Sequence, residues 1–274
     1  MKIGFLGDVH GSANHALALI LLWQKKNTVR LDLIIQLGDI GILPNPNLKS
    51  PPYERYYEWN KTVYDLFYLP LAAGTDSEIL KDVRRHLAAP IFFIRGNHDE
   101  RPRFSTISRS VGFETFAIDP FDIFHFAPDG SELKADSTDI LLFGEARNPP
   151  EDQMAPLDAK IVATHPGPFG IGRNTLGEVL GSRDVLSFVL RYRPSYLIFG
   201  HHHHIMKPTK VGETTCIGLD SLVAADRDGG LPPKVLPGAL CVYDEDSDSF
   251  SFAKEEWMDE IPGNLSIADL ERFF

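Results

Sequence analysis

Five short, largely apolar runs, each stopping abruptly at residues whose side chains can hold a metal ion, constrain this chain more than any other feature. Ile3–Leu6 stops at Gly7-Asp8, Leu33–Leu37 at Gly38-Asp39, and Ile91–Ile94 at Arg95-Gly96-Asn97-His98-Asp99. Ala159–Thr164 stops at His165, and Tyr196–Phe199 at Gly200-His201. Apolar runs this short, bounded by turn residues, read as buried strands. Between them lie stretches of helical periodicity: Ala13–Lys25, with Leu17, Ile20 and Leu21 on one face, and the amphipathic Ser77–Leu87. Strands alternating with helices make an α/β fold. In open α/β sheets ligands bind beyond the carboxyl ends of the strands, so the five clusters are expected along one rim.

The rest of the chain fits the same picture. Phe121–Phe126, Asp139–Phe143, Thr214–Leu219, Ala239–Tyr243 and Ser249–Ala253 are further strand candidates. Leu176–Arg191 reads as a helix, a short helix closes the chain near Ile267–Phe273, and the acidic run Asp244–Asp248 is a solvated hairpin turn. Prolines 44, 46, 51 and 52 make Ile42–Pro52 a loop, and the aromatic stretch Tyr53–Leu69 reads as a helix packing on the core, with stacking on a nucleobase as the alternative. No stretch resembles a linker between separate cores. A single domain spanning 1–274 is expected, with an insert at about 43–87.

Composition excludes some classes of function. No apolar window is long enough to span a membrane, and the N-terminus meets a carboxylate too soon for a secretory leader. Cys216 and Cys241 sit in apolar strands and are expected as reduced core thiols, which with the missing leader gives a cytoplasmic location. The net charge of −11 disfavours a non-specific grip on DNA or RNA without excluding a small phosphoester held at a metal.

The candidate metal ligands are Asp8, His10, Asp39, Asn97, His165, His201 and His203. Asp8 and His10, like His201 and His203, are separated by one residue, so in extended backbone both members of each pair face one side. Carboxylate and amide oxygens mixed with imidazole nitrogens suit Mn, Fe, Zn or Co better than Mg or Ca. No cysteine contributes, which argues against a structural zinc site.

Taken together, Gly7-Asp8-Val9-His10-Gly11, Gly38-Asp39, Gly96-Asn97-His98-Asp99, Thr164-His165 and Gly200-His201-His202-His203 resemble the motifs of the calcineurin-like metallophosphoesterases, in their order. The resemblance implies a four-layer α-β-β-α sandwich of two mixed sheets. It implies two divalent ions (Mn, Fe or Zn), one held by Asp8, His10 and His203, the other by Asn97, His165 and His201, with Asp39 bridging. It further implies a metal-bridging hydroxide as nucleophile and His98 as general acid, oriented and kept charged by Asp99.

Some positions carry a plainer reading beside the functional one. Strand alternation sends His202 and His204 away from the ligands; they are packing residues or substrate contacts, and His204 is carried as a substrate-binding candidate. Arg95 either contacts a phosphate or forms a salt bridge at the rim. The second motif reads Gly38-Asp39-Ile40-Gly41-Ile42, not the Gly-Asp-x-x-Asp-Arg-Gly of the protein Ser/Thr phosphatases, which favours the phosphodiesterase-like branch. The expected partner is a small or nucleotide-type phosphoester. The alternatives are a nuclease or RNA-debranching-type enzyme, which calls for a basic groove, and a non-catalytic scaffold, which calls for missing ligands.

Overall fold

Successive side chains of a strand point to opposite faces of its sheet, and here both faces are buried. In β1 (Lys2–Leu6), Ile3 and Phe5 enter one apolar cluster and Leu6 another. In β2 (Leu33–Gln36), Ile35 and Ile34 divide the same way. In β7 (Thr138–Phe143), Ile140 and Leu142 join the cluster of Ile3 and Phe5, whereas Leu141 and Phe143 enter a third. The shared cluster lies between two sheets. Each fully buried large side chain there contributes roughly 1.5–3 kcal/mol, so the sheets are held firmly against one another.

The computed structural model describes residues 1–41, 74–99, 112, 114–144, 159–174, 176–224 and 234–274. The first sheet runs in the order β15 (Ser249–Phe252), β14 (Leu240–Asp244), β1, β2, β3 (Ile91–Phe93), β5 (Phe124–Phe126), β4 (Phe116–Ala117). Its central strands β1, β2, β3 and β5 are parallel; β14, β15 and β4 are antiparallel to their neighbours. The second sheet runs β10 (Met206–Val211), β11 (Thr214–Gly218), β9 (Tyr196–Phe199), β8 (Ile161–Thr164), β7, β6 (Ser131–Ala135), with β11, β9, β8 and β7 parallel. A small pair, β12 (Val223–Ala224) and β13 (Lys234–Val235), lies apart.

Helices cover both outer faces. α1 (Ala13–Asn27) and α2 (Gly74–His86) pack on the first sheet, and α3 (Arg183–Tyr192) on the second through Val185, Phe188 and Val189. The layers are helix, sheet, sheet, helix, as the sequence implied. No helix among the described residues is long and apolar enough to cross a membrane.

Several elements differ from expectation for identifiable reasons. The helix expected at Leu176–Arg191 begins only at Arg183. Gly177 and Gly181 hold φ of +80° and +99°, which a helix cannot use, and the Ser182 hydroxyl caps the helix by accepting from the Val185 N–H. The strand expected from Phe121 starts at Phe124, because the Asp119 carboxylate gathers the N–H groups of Phe121, Ile123 and Phe124 into a turn. The closing helix is a 3-10 helix over Ala268–Phe273. It and the chain before it cover α1, where Asn14 donates to the Leu265 carbonyl at 3.0 Å, so α1 is buried from Ala13 to Gln24 and not on one face only. β6 and β10 are not readable from apolar patterning: the edge strand β10 exposes Lys207, Pro208, Thr209 and Lys210.

The turn Glu245–Asp248 joins β14 to β15 as expected. Cys216 and Cys241 are free and buried, and burial pushes both thiols up to about 12. The aromatic stretch Tyr53–Leu69 lies outside the described residues, as does the insert as far as residue 73.

Candidate metal centre

β1, β2 and β3 are parallel neighbours in one sheet and β8 and β9 in the other, so all five polar clusters leave the strands at the same rim. Glycines let the clusters close up. A Cβ on Gly96 would collide with the Asp39 carboxylate and backbone N, and one on Gly200 with the Asp8 carboxylate.

Two groups of donor atoms result, each with its atoms within 4.8 Å of one another. Asp8, His10, Asp39 and His203 form one; Asp39, His165 and His201 form the other. The amide oxygen of Asn97 joins the second, 2.8 Å from His165 Nε2. All seven sequence-predicted donors are thus brought together, and Asp39 belongs to both groups.

The route by which they converge differs from the strand alternation expected. His10, Asp39, His201 and His203 have φ of 46°, 54°, 69° and 54°. These are left-handed conformations that non-glycine residues adopt uncommonly. Tight turns, not extended backbone, aim the imidazoles inward. Such strain concentrates at functional sites, where the surrounding structure holds it in place.

Hydrogen bonds outside the donor set fix its orientation. His165 donates from Nδ1 to the Leu37 carbonyl at 2.8 Å, which leaves Nε2 facing the site as the ligand atom. Asp8 Oδ1 accepts from the His201 N–H at 2.9 Å, and Asp39 Oδ1 accepts from the His98 N–H at 2.7 Å. Asp99 is buried and accepts through its two oxygens from the N–H groups of Gly41 and Gly96, each at 2.9 Å. It thereby ties the turn after Asp39 to the turn before Asn97, a backbone role the sequence did not suggest. Burial and the nearby Asp39 charge raise its carboxyl to about 6.

The donor set fits divalent cations. Asp39 Oδ2 is buried without a hydrogen bond, 3.4 Å from His165 Nε2. Imidazole nitrogens face each other at 2.9 Å (His10 and His203) and 3.2 Å (His201 and His165). A buried carboxylate oxygen that lacks a hydrogen bond costs free energy that a cation recovers. Protons compete for the same place. Burial disfavours a charge on His165, yet the Asp39 charge outweighs it and holds the imidazole up at about 9. Burial likewise opposes ionisation of Asp39, but the charge of His165 keeps its carboxyl well below the usual carboxylate range.

A cation entering beside His165 must therefore displace a proton. Metal uptake by the metal-free protein should release protons below about pH 9. Its apparent affinity should tighten by about tenfold per pH unit for one displaced proton. The folded-state pKa is raised, so the stability that protonated His165 gives the metal-free fold is full below its ordinary 6.5 and lost as pH rises through about 9. Mn titrations of chelator-treated protein between about pH 6.5 and about pH 8.5 check this; an affinity that does not move with pH contradicts it.

The remaining candidates border the centre. His98 is half-buried, its ring centroid 5.4 Å from that of His10 and edge-on to it, and it belongs to neither donor group. Arg95 is buried at the rim, with Nη1 3.5 Å from the Gly96 carbonyl. His204 is exposed, its Nδ1 2.7 Å from the His202 carbonyl. The His202 ring centroid lies 5.0 Å from that of His201 and 5.9 Å from that of Phe199, and its Nε2 is buried without a hydrogen-bond partner.

Two mixed sheets between helices, with two donor groups sharing a carboxylate at one rim, define a dinuclear metallohydrolase. The chain belongs to the calcineurin-like phosphoesterase family, whose model matches residues 1–204. Among solved structures, one that covers 92% of this chain and 98% of its own is 13% identical, with a TM-score of 0.50. TT1561 of Thermus thermophilus covers the same shares at 12% identity and a TM-score of 0.45. Yfce, a phosphoesterase from E. coli, is 16% identical over 91% of this chain and 96% of its own, with a TM-score of 0.37. At such identities the first of these shows the fold alone. No curated protein matches the sequence.

Proposed function

We propose that this protein is a phosphodiesterase acting on small or nucleotide-type substrates. The observation that carries this reading is Asp39, a carboxylate common to two donor groups, the arrangement a two-metal hydrolase requires. Asp8, His10 and His203 would hold one ion and Asn97, His165 and His201 the other, with Asp39 available to both. Bound there, the ions supply Lewis acidity toward the phosphate oxygens and lower the pKa of water.

The chain's own groups do the rest. His98, whose ring stands edge-on to that of His10 and outside both donor groups, would give a proton to the departing ester oxygen. Its backbone N–H donates to Asp39, so the turn that carries the proposed proton donor also orients the carboxylate shared by the two donor groups. Asp99 maintains the two turns that carry them. Arg95 and His204 remain candidates for phosphate and ester contacts at the rim.

The net charge of −11 weighs against a nuclease or RNA-debranching enzyme, and the complete donor set weighs against a scaffold that has lost its chemistry. The test is turnover of bis-(p-nitrophenyl) phosphate, p-nitrophenyl phosphate and a cyclic nucleotide with added Mn, alongside elemental analysis. Two ions per chain and faster diester than monoester hydrolysis are expected. Saturation at one ion, or preference for the monoester, overturns the reading.

A further inference from the structure

Each of the two large sheets has two edge strands, and an edge strand offers unpaired N–H and C=O groups to any other chain. Three of these four edges are guarded. β10 carries Pro208, a break in register between Met206 and Thr209, and the exposed Lys207 and Lys210. β6 exposes Glu132 and Lys134, and β4 is only two residues long. β15 has none of these devices. It reads Ser249-Phe250-Ser251-Phe252, with no proline, no charge and an unbroken register against β14.

The pairing with β14 fixes which backbone groups are open. The Ala253 N–H donates to the Leu240 carbonyl at 2.9 Å. Bonded and non-bonded positions alternate along an antiparallel pair. Ser249 and Ser251 therefore turn their backbone groups toward β14, and Phe250 and Phe252 turn theirs off the edge of the sheet. Neither of these two N–H groups meets an acceptor among the described residues. The side chains leave room for an approaching strand. The Phe250 and Phe252 rings pack against the cluster between the sheets, and the outer face of β15 carries Ser249 and Ser251, both small and exposed.

A second copy of the same strand complements these groups. With Phe250 set antiparallel to Phe252 of the second copy, residues with outward-facing backbone meet each other, and the two such pairs make four hydrogen bonds. Ser251 then meets its own counterpart on the two-fold axis, as an isologous contact requires. At each end Lys254, still in extended backbone, falls opposite Asp248; the two side chains are 65% and 55% exposed. Beyond Lys254 the chain turns into the 3-10 helix Glu255–Glu260, which takes its acidic residues out of the pairing. A shift of one residue would set outward-facing groups against inward-facing ones, and a shift of two would part Lys254 from Asp248. We propose that β15 is the seam of a homodimer, pairing antiparallel with β15 of a second copy about a two-fold axis through Ser251. Such an axis crosses the sheet, so β1 runs in opposite directions in the two copies and the metal rims lie at opposite ends of the dimer. Turnover per chain should therefore not depend on assembly.

The test is sedimentation equilibrium of the full chain from about 1 to about 300 µM, in about 0.15 M salt to screen the repulsion between two copies of net charge −11. A monomer–dimer equilibrium is expected, with a Kd of roughly 10–100 µM for so small a seam. Ser251→Lys sets two like charges face to face and should raise that Kd by at least about tenfold, as should Ser251→Asp. An equal mixture of the two variants sets opposite charges face to face and should dimerise at least as well as the parent. Ser251 is exposed on the outer face, so both variants should keep the parent's melting temperature, metal content and turnover. A parent that stays monomeric across the whole range overturns the proposal. So does a dimer that Ser251→Lys leaves intact, which would place the contact elsewhere. A mixture that dimerises no better than either variant alone also overturns it, because the two-fold axis then does not pass through Ser251.

Discussion

Asp39→Ala should lose at least about 10³-fold in kcat/KM on a phosphodiester, equivalent to about 4 kcal/mol of transition-state stabilisation. His203→Ala should lose distinctly less. Asp39 is a member of both donor groups, whereas His203 belongs to one. Asp39 is also fully buried and accepts the His98 N–H, so its loss loosens the turn that carries the proton donor as well as the metals. A thermal readout separates ligand loss from mere unfolding. An ion at a hundred times its Kd stabilises the fold by about 2.7 kcal/mol, roughly 5–10 °C for a chain of this size. The parent should therefore melt several degrees lower in chelator, and Asp39→Ala should show little of that difference. An Asp39→Ala protein that keeps two ions and near-parental turnover would remove the shared carboxylate from the centre.

Removal of His98 should be felt according to the leaving group. An alkyl or nucleoside oxygen needs a proton as it departs; a nitrophenolate does not. His98→Ala should cost about 10²–10⁴ in rate on an alkyl or nucleoside diester, the usual scale of general-acid assistance, and much less on bis-(p-nitrophenyl) phosphate. Metal content should be retained, because the ring stands 5.4 Å from the His10 ring and outside both donor groups. Steady-state kinetics on both esters, with elemental analysis of the variant, make the comparison. Equal losses on the two would take the general acid away from His98, and loss of an ion would make it a ligand.

What is legible in the sequence is what chemistry restricts to few residue types. Asp8, Asp39, Asn97, His165 and His201 are readable because each ends or follows a buried strand, and a carboxylate, amide or imidazole in that place has few structural uses. The four layers are readable for a similar reason: strands such as Leu33–Gln36 are apolar on both faces, so each must be covered twice. The left-handed backbone at His10, Asp39, His201 and His203 is not readable, since nothing in a histidine or aspartate announces a positive φ. That is why alternation, which puts His201 and His203 together and sends His202 away from them, finds the pair for the wrong reason. The start of α3 is hidden by Leu176 and Leu180, whose spacing suits a helix; Gly177, Gly181 and Ser182 are the signals that place it later. The backbone bonds of Asp99 have no signal in the sequence, because the N–H groups it accepts belong to Gly96, three residues before it, and to Gly41 across the rim.

β1 lies between β2 and β14, and its register pairs Ile3 with Tyr243. Pairing across so much intervening sequence is slow, since the entropy of closing the loop is lost before the contact is gained. During synthesis all seven donors leave the ribosome before β14 does, yet the strand that presents Asp8 lacks one of its two neighbours until β14 arrives. The nascent chain thus carries every donor before the strand that presents Asp8 has both of its neighbours, and the pocket for the ions is complete only once β14 docks.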